Sequence, residues 1–290
     1  MSIGKLGVVG AGMMGSEIAL VFALAGKAVI LADTSQEGLN NAVKKLSEVL
    51  DSGISRGFWT EEDKLGALAQ IQTTTVLEDF ADREMVIEAV FEDKDVKGIV
   101  FEKLDNILPA NCVIASNTSS ISITVLAANL SDERQKNFLG LHFFSPVHRM
   151  KLVEVISAMD TNQKVAEIAA MACVEAGKVP IQVKDVVGFA VNRMLFALWN
   201  EALRLVEEGA CSPEDIDIGC KLGLGHPVGP FELMDLTSNT LNLQVGKILE
   251  EAYGERFLPR PILKQIVAAG RAGRKSGRGW YRYDERGHKQ

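Results

Sequence analysis

Gly10-Ala11-Gly12-Met13-Met14-Gly15 follows an apolar run, Ile3 to Val9, and leads into a segment whose Ile18, Val21 and Phe22 share a helical face. The next apolar run ends at Ala32 and is followed by Asp33. Read in order this is strand, glycine turn, helix, strand, carboxylate. In such a unit Gly10 makes the tight turn, Gly12 lets a pyrophosphate approach the backbone, and Gly15 lets the helix pack closely, while the phosphates rest on the amides of the first helical turn at Met13 and Met14. Asp33 lies about 20 residues beyond the first glycine, where a carboxylate accepts hydrogen bonds from ribose hydroxyls and repels an extra 2′-phosphate. NAD is therefore the expected cofactor.

Ligands of an open parallel sheet collect at the carboxyl ends of its strands. Three polar clusters follow apolar runs in that position: Phe91-Glu92-Asp93, Asn117-Thr118-Ser119-Ser120, and His142 near the end of Phe138 to Phe143. Glu154 interrupts Leu152-Val153-Glu154-Val155-Ile156, where an isolated buried carboxylate would be costly. One solution is that Glu154 holds one nitrogen of His142 and leaves the other to exchange a proton with an alcohol. Imidazole suits that task because its reference pKa is about 6.5. The other solution is a core histidine bonded to backbone, with Glu154 on a solvated strand face. Spacing alone favours Ser119 as the N-cap of a helix around Ile121 to Leu130 over a substrate contact. Asn192 shares a helical face with Leu195, Phe196 and Trp199 and needs a polar partner there, either substrate or a backbone carbonyl. His226 reads as a turn residue capping the helix that follows.

The elements that must position these groups come in two textures. Up to about residue 180, short β-branched runs alternate with helical patterns, which predicts parallel strands joined by crossover helices. Strands are expected at Lys5 to Val9, Ala28 to Ala32, Met85 to Ala89, Val113 to Ser116, Phe138 to Phe143, Val153 to Ile156 and Val179 to Val183. A long helical stretch from Gln36 to Leu68, broken at Gly53-Ile54-Ser55-Arg56-Gly57, reads as an inserted helical hairpin able to reach over a substrate. From residue 185 the pattern is helical: Phe189 to Glu208 has apolar positions at 3 and 4 spacing, and Ser212-Pro213-Glu214-Asp215 is an N-cap with proline in the first turn. Two domains follow, 1–184 with a Rossmann-like doubly wound α/β sheet and 185–290 all helical, the latter ending in a glycine-rich basic loop and a short strand or tail.

With 290 residues, 47% hydrophobic and 24% charged, the composition is that of a globular enzyme. A net charge of −7 argues against nucleic acid as a general partner. Cys112, Cys173, Cys211 and Cys220 lack CxxC spacing and read as mostly buried free thiols, and the four histidines also lack metal-ligand spacing. No apolar run approaches a membrane span, and the first strand begins too early to leave room for a signal segment, so a cytoplasmic protein is expected.

Six segments taken together, Ser116-Asn117-Thr118-Ser119-Ser120, Leu141-His142-Phe143-Phe144-Ser145-Pro146, Met150-Lys151-Leu152-Val153-Glu154-Val155, Gly188-Phe189-Ala190-Val191-Asn192-Arg193, Gly225 to Leu233 and Gly273-Arg274-Lys275-Ser276-Gly277, resemble the 3-hydroxyacyl-CoA dehydrogenases, including the bacterial 3-hydroxybutyryl-CoA type. The resemblance spans essentially the whole chain. It implies oxidation of an L-3-hydroxyacyl-CoA to the 3-ketoacyl-CoA and a homodimer formed through the helical domain. It also implies His142 as general acid/base, Glu154 as its orienting partner, Ser119 contacting substrate and nicotinamide, and Asn192 positioning substrate. Glu92, Lys97 and Lys275 would be cofactor contacts, and Arg56 a contact for the CoA phosphates. The family motif commonly has Asn where this chain has Ser145, which can still donate to the nicotinamide carboxamide. His148 and Arg149 replace small or apolar residues and bear on acyl preference or phosphate binding. Two alternatives share the scaffold: a dehydrogenase of free hydroxy acids of the L-gulonate type, and a crystallin-like NAD-binding protein without turnover.

Overall fold

The computed structural model describes residues 2–290. Its strands are β1 (Lys5–Val9), β2 (Ala28–Ala32), β3 (Ile71–Thr74), β4 (Met85–Glu88), β5 (Val113–Ser116), β6 (Phe138–Phe143), β7 (Leu152–Ser157) and β8 (Val179–Lys184). They form one eight-stranded sheet in the order β3-β2-β1-β4-β5-β6-β7-β8. All neighbours are parallel except β6 and β7. The chain reverses direction at β1, between β2 and β4, and opens a crevice at the carboxyl ends of β1 and β4. This corrects two expectations. The connection from Phe144 to Lys151 is too short for a crossover helix, so β7 must run antiparallel to β6. β3 is an extra edge strand whose Gln72, Thr73 and Thr74 carry no apolar signal.

Alternation along the buried strands builds two cores, one on each face. Leu6, Val8, Val29, Leu31, Met85, Ile87, Leu139 and Leu141 face α1 (Met13–Leu24), the hairpin of α2 (Gln36–Ile54) and α3 (Glu61–Ala69), and a later helix over Gln163–Glu175. Val9, Ile30, Val86, Ile114, Phe138 and Ile156 face α4 (Lys94–Ile107) and the short α5 (Ile123–Ala127). Phe80 lies flat on this second face only because Gly7 has no side chain; a Cβ there would come within 2.8 Å of the ring. Because His142 shares its parity with Phe138 and Glu154 shares its parity with Ile156, both point to this second face.

The four-residue α6 (Asp132–Gln135) precedes β6, and α7 (Gln163–Glu175), whose Val165, Ala166, Ala169, Ala172 and Cys173 pack into the first core, joins β7 to β8. The first compact unit ends at Phe189, slightly later than the expected boundary near 185. Phe189 is buried with the second core, which carries the unit past the last strand. From Ala190 the second unit is helical, with α8 (Val191–Glu207), α9 (Pro213–Gly223), α10 (Pro230–Thr237), α11 (Asn239–Tyr253) and α12 (Pro261–Ala268). Ser212 caps α9 by accepting from the Asp215 amide, as its motif predicts. The N-cap of α10 is Gly229, so His226 does not cap it; the His226 amide instead donates to the Cys220 carbonyl and closes off α9. Three of the four cysteines are buried and Cys211 is exposed.

Candidate active site

The glycine turn holds the geometry its spacing requires. Gly10 has φ of 102°, a conformation that strains any side chain, and a Cβ on it would meet the Ala89 carbonyl at 2.6 Å. A Cβ on Gly15 would fall 1.9 Å from the Gly10 carbonyl oxygen, whereas beyond Gly12 there is open space. Helix α1 has no side-chain N-cap bond, unlike α2, α4 and α9, so its first amides remain for a ligand anion. The Asp33 carboxylate accepts from the Ala11 amide at 2.8 Å and the Ser35 amide at 3.1 Å, which fixes it at the end of β2. A cradle open at Gly12, uncapped amides and a pinned acid fit a dinucleotide.

That turn separates two cavities. One, of about 780 Å³, is lined by Gly10, Gly12, Met13, Met14 and Asp33 and continues between apolar Phe91, Val96 and Ile99 toward Lys103. Of these last four, Phe91 belongs to a cluster singled out from the sequence, whereas Val96, Ile99 and Lys103 were not; all three lie on α4, and only the sheet order brings that helix beside Asp33. The other, of about 770 Å³, runs from Gly12 and Met13 along α1 and α2 to Arg56, Trp59, Ser145, His148 and Arg149. Ser145, exposed, directs its hydroxyl to the Met13 sulfur at 3.8 Å.

Beyond β4 a buried charge network organises the serine loop. Glu88 is fully buried, accepts from the Ser116 hydroxyl at 2.6 Å and the Val90 amide at 2.7 Å, and pairs with the Lys97 ammonium at 2.7 Å. Register places Ser116 opposite Glu88. Burial raises the Glu88 pKa, and Lys97 only partly offsets it. Lys97 also lies 3.3 Å from Glu92. Only 1% of the Lys97 side chain is exposed, against 37% for Glu92, so the ammonium is enclosed between the two carboxylates. One oxygen of Glu92 gathers the Thr118 hydroxyl at 2.6 Å, the Ser119 amide at 2.8 Å and the Ser120 amide at 3.1 Å, with the Ser119 and Ser120 hydroxyls at 3.3 and 3.1 Å. Burial opposes ionisation of Glu92, but Lys97 and these donors outweigh it and hold its pKa below the ordinary value. Ser119 is thus not a helix cap; Ser122 caps α5 by accepting from the Val125 amide.

His142 and Glu154 are direct partners across the antiparallel pair β6–β7. The Nδ1 of His142 lies 2.7 Å from the Glu154 carboxylate, with side-chain exposures of 7% and 0%. That contact rules out the solvated position for Glu154. The imidazole is flanked by Phe144 at 4.6 Å and Phe189 at 5.6 Å between ring centroids, while Asn117 beside it accepts from the Phe143 amide at 2.9 Å. An Nδ1 engaged by a carboxylate leaves Nε2 for proton exchange. In the second unit, Asn192 lies half-buried in the first turn of α8, and Lys275 lies in a 3-10 turn over Arg274–Ser276. Among the described residues no cluster of His, Cys, Asp and Glu is arranged to hold a metal.

Comparison with known proteins agrees over the whole chain. Residues 5–186 match the model of the 3-hydroxyacyl-CoA dehydrogenase NAD-binding domain, and residues 188–283 match that of its C-terminal domain. The chain is 39% identical over 280 residues to a probable 3-hydroxybutyryl-CoA dehydrogenase of Deinococcus radiodurans, covering 96% of this chain and 100% of the relative. It is 40% identical over 282 residues to a 3-hydroxybutyryl-CoA dehydrogenase of Bradyrhizobium diazoefficiens, covering 97% and 96%. The crystal structure of (S)-3-hydroxybutyryl-CoA dehydrogenase from Ralstonia eutropha superposes with a TM-score of 0.93 at 41% identity, covering 98% of this chain and 100% of that one. With both domain models and near-complete relatives in agreement, the chain belongs to the 3-hydroxyacyl-CoA dehydrogenase family, NAD-dependent oxidoreductases that interconvert an L-3-hydroxyacyl-CoA and the 3-ketoacyl-CoA.

Proposed function

We propose that this dehydrogenase acts on short acyl-CoA thioesters such as 3-hydroxybutyryl-CoA and acetoacetyl-CoA, with His142 as the acid/base. The observation that carries the reading is the buried 2.7 Å contact between His142 and Glu154 on the sheet that also bears the glycine turn. NAD supplies the hydride acceptor in oxidation and the donor in reduction. His142 takes the proton of the 3-hydroxyl on Nε2 and returns it in the reverse direction; Glu154 fixes the tautomer and stabilises the imidazolium, a contribution on the order of 10² to 10⁴ in rate. Ser119 contacts the substrate oxygen from a loop that Glu92 keeps ordered, and Ser145 donates to the nicotinamide carboxamide.

The cavity between Asp33 and Lys103 takes the adenosine half of NAD, its apolar walls matching a base and its carboxylate a ribose. The second cavity takes the nucleotide end of CoA, where Arg56 joins Lys45 and Arg149 as phosphate partners. Asn192 as a substrate contact and Lys275 as a cofactor contact follow from their motifs. Residues 1–184 serve as the NAD-binding domain and 185–290 as the substrate and dimerisation domain. A homodimer through the helical unit is supported by its exposed Met194, Leu222 and Leu224, at 66%, 85% and 65%. Among the described residues no helix is long and apolar enough to cross a membrane; a cytoplasmic setting is part of the proposal.

The test follows NADH oxidation spectrophotometrically with acetoacetyl-CoA, longer 3-ketoacyl-CoA thioesters, and free acetoacetate. Turnover is expected with the thioesters and to fall with chain length; efficient use of the free acid instead would overturn the reading. The oligomeric state is read by light scattering on a sizing column.

A further inference from the structure

The eight residues from Phe144 to Lys151 join the two strands that carry the acid/base pair, and two charged side chains from elsewhere grip them. Lys178, 7% exposed, donates to the carbonyls of Val147 and, at 3.1 Å, Met150. Glu17 on α1 accepts with one oxygen from both the His148 amide at 3.3 Å and the ring Nδ1 at 3.0 Å. The carboxylate therefore fixes a proton on Nδ1. Both side chains are mostly enclosed, at 14% exposure for His148 and 12% for Glu17. The His148 ring leans on Trp59 at 6.1 Å, and Trp59 in turn lies over Gly53, where a Cβ would come within 2.1 Å of it.

Glu17, His148 and Trp59 thus make one wall of the 770 Å³ cavity, whose other charges are Lys45, Arg56, Arg149 and Glu48. An acid at 12% exposure is poorly screened, and here it borders a cavity otherwise suited to an anion. Lys178 lies close enough to Glu17 to feel its charge, but its ammonium is committed to the loop carbonyls. Among the described residues, His148 is the group that donates hydrogen bonds to the Glu17 carboxylate.

We propose that His148 is a substrate-specificity residue that masks the Glu17 carboxylate in the cavity taking the phosphate-bearing end of the acyl-CoA. The inference rests on the assignment of that cavity to CoA. Two hydrogen bonds disperse the Glu17 carboxylate's charge and turn it toward the loop, so of the two acids that line the cavity only the exposed Glu48 faces the incoming phosphates unmasked, beside Lys45, Arg56 and Arg149. Removing the imidazole while keeping Glu17 takes away the shorter of its two hydrogen bonds, leaves only the backbone amide at 3.3 Å and opens the carboxylate to the cavity, and like-charge juxtaposition discriminates strongly against a ligand.

The test compares acetoacetyl-CoA with S-acetoacetyl-N-acetylcysteamine, which has the same reacting ketothioester and no phosphates. For His148→Ala the KM for acetoacetyl-CoA is expected to rise about tenfold, while kcat and the KM for the truncated thioester stay within about twofold. Adding Glu17→Gln should return the acetoacetyl-CoA KM to near wild type, and His148→Gln, which keeps a donor, should leave it near wild type. His148→Phe carries the same expectation as the alanine variant should that one not fold. Equal losses on both thioesters, or no rescue by Glu17→Gln, would overturn the proposal and reduce the pair to a structural latch. A wild-type enzyme with the same KM for both thioesters would instead overturn the cavity assignment itself.

Discussion

His142 and Glu154 face each other across the antiparallel pair β6–β7, and the 2.7 Å contact between the imidazole Nδ1 and the carboxylate is a consequence of that register. Residues opposite one another in an antiparallel pair project to the same face, so the two side chains need no loop to bring them together. The reversal at Phe144 to Lys151 therefore does more than end the parallel run: it creates the pair.

If this pair moves the proton, His142→Ala should lower kcat for acetoacetyl-CoA reduction by about 10² to 10⁴. NADH affinity, read by fluorescence titration, should stay close to wild type because the dinucleotide cradle lies on β1, α1 and β2. Glu154→Gln should give a smaller loss in kcat, since an amide can still accept from Nδ1–H but cannot stabilise the imidazolium. Substantial turnover by the alanine variant would remove His142 from the mechanism.

Replacing Gly15 by Ala should cost roughly tenfold or more in NADH affinity, the loss expected when charge-assisted amide contacts to a pyrophosphate are displaced. The added Cβ would fall 1.9 Å from the Gly10 carbonyl, so the turn must open. Gly12→Ala meets no protein atom within 4 Å. It should fold with wild-type stability yet still lose affinity, because the methyl group enters the space a phosphate would use. Equal stability loss in both variants would contradict this division between packing and binding.

How far the sequence discloses this arrangement depends on how local each feature is. Gly10, Gly12, Gly15 and Asp33 form one continuous unit, and every part of it carries a signature that the fold then reproduces. Glu154 is readable because an acid inside an apolar strand demands a partner, although only the antiparallel register says which. Lys97 is not readable as a buried residue, since lysine is ordinarily exposed and its fate depends on Glu88 lying beneath it. The inversion at β7 and the polar edge strand β3 rest on connection length and pairing, which apolar periodicity does not report. Glu17 and His148 lie 131 residues apart, and no local pattern links them.

The buried ion pair makes a stability prediction. Lys97→Met leaves Glu88 uncompensated at zero exposure and should destabilise the protein by about 3 to 5 kcal/mol. Replacing both partners by apolar residues, Lys97→Met with Glu88→Leu, should recover much of that loss, because the cost lies in the orphaned charge. Urea denaturation midpoints distinguish the outcomes; a double variant as unstable as the single one would show that Glu88 matters for more than charge balance.

Glu92 gives a pH dependence whose sign is fixed by its lowered pKa. A carboxyl with a native pKa below its unfolded value contributes stability that is fully present above the unfolded value, near 4.5, and that is lost as pH falls through the native pKa. Wild type should therefore exceed Glu92→Gln in stability at neutral pH, with the gap closing in acid below pH 4.5. Thermal unfolding of both proteins across that range checks it. A gap that widens on acidification would mean that Lys97 and the serine loop are not what holds the carboxylate ionised.

In the helical unit, Asp217 does for α10 what a local cap does elsewhere. Gly229 has no side chain to cap the helix, and Asp217, 1% exposed, accepts instead from the Phe231 amide at 2.8 Å, the Glu232 amide at 3.1 Å and the Tyr281 hydroxyl at 2.7 Å. A Cβ on Gly229 would lie 2.3 Å from that carboxyl carbon, so the glycine is what admits the distant acid. Asp217→Leu would orphan two helix amides and a buried phenol together, each unsatisfied group costing about 1 to 3 kcal/mol. The helical unit should then unfold at lower denaturant, with amide exchange accelerated first at Phe231 and Glu232 and the NAD-binding unit protected as before. Tyr281→Phe removes only one donor and should cost far less. Exchange spreading evenly over both units would show instead that the two unfold as one, and that Asp217 is not a local cap.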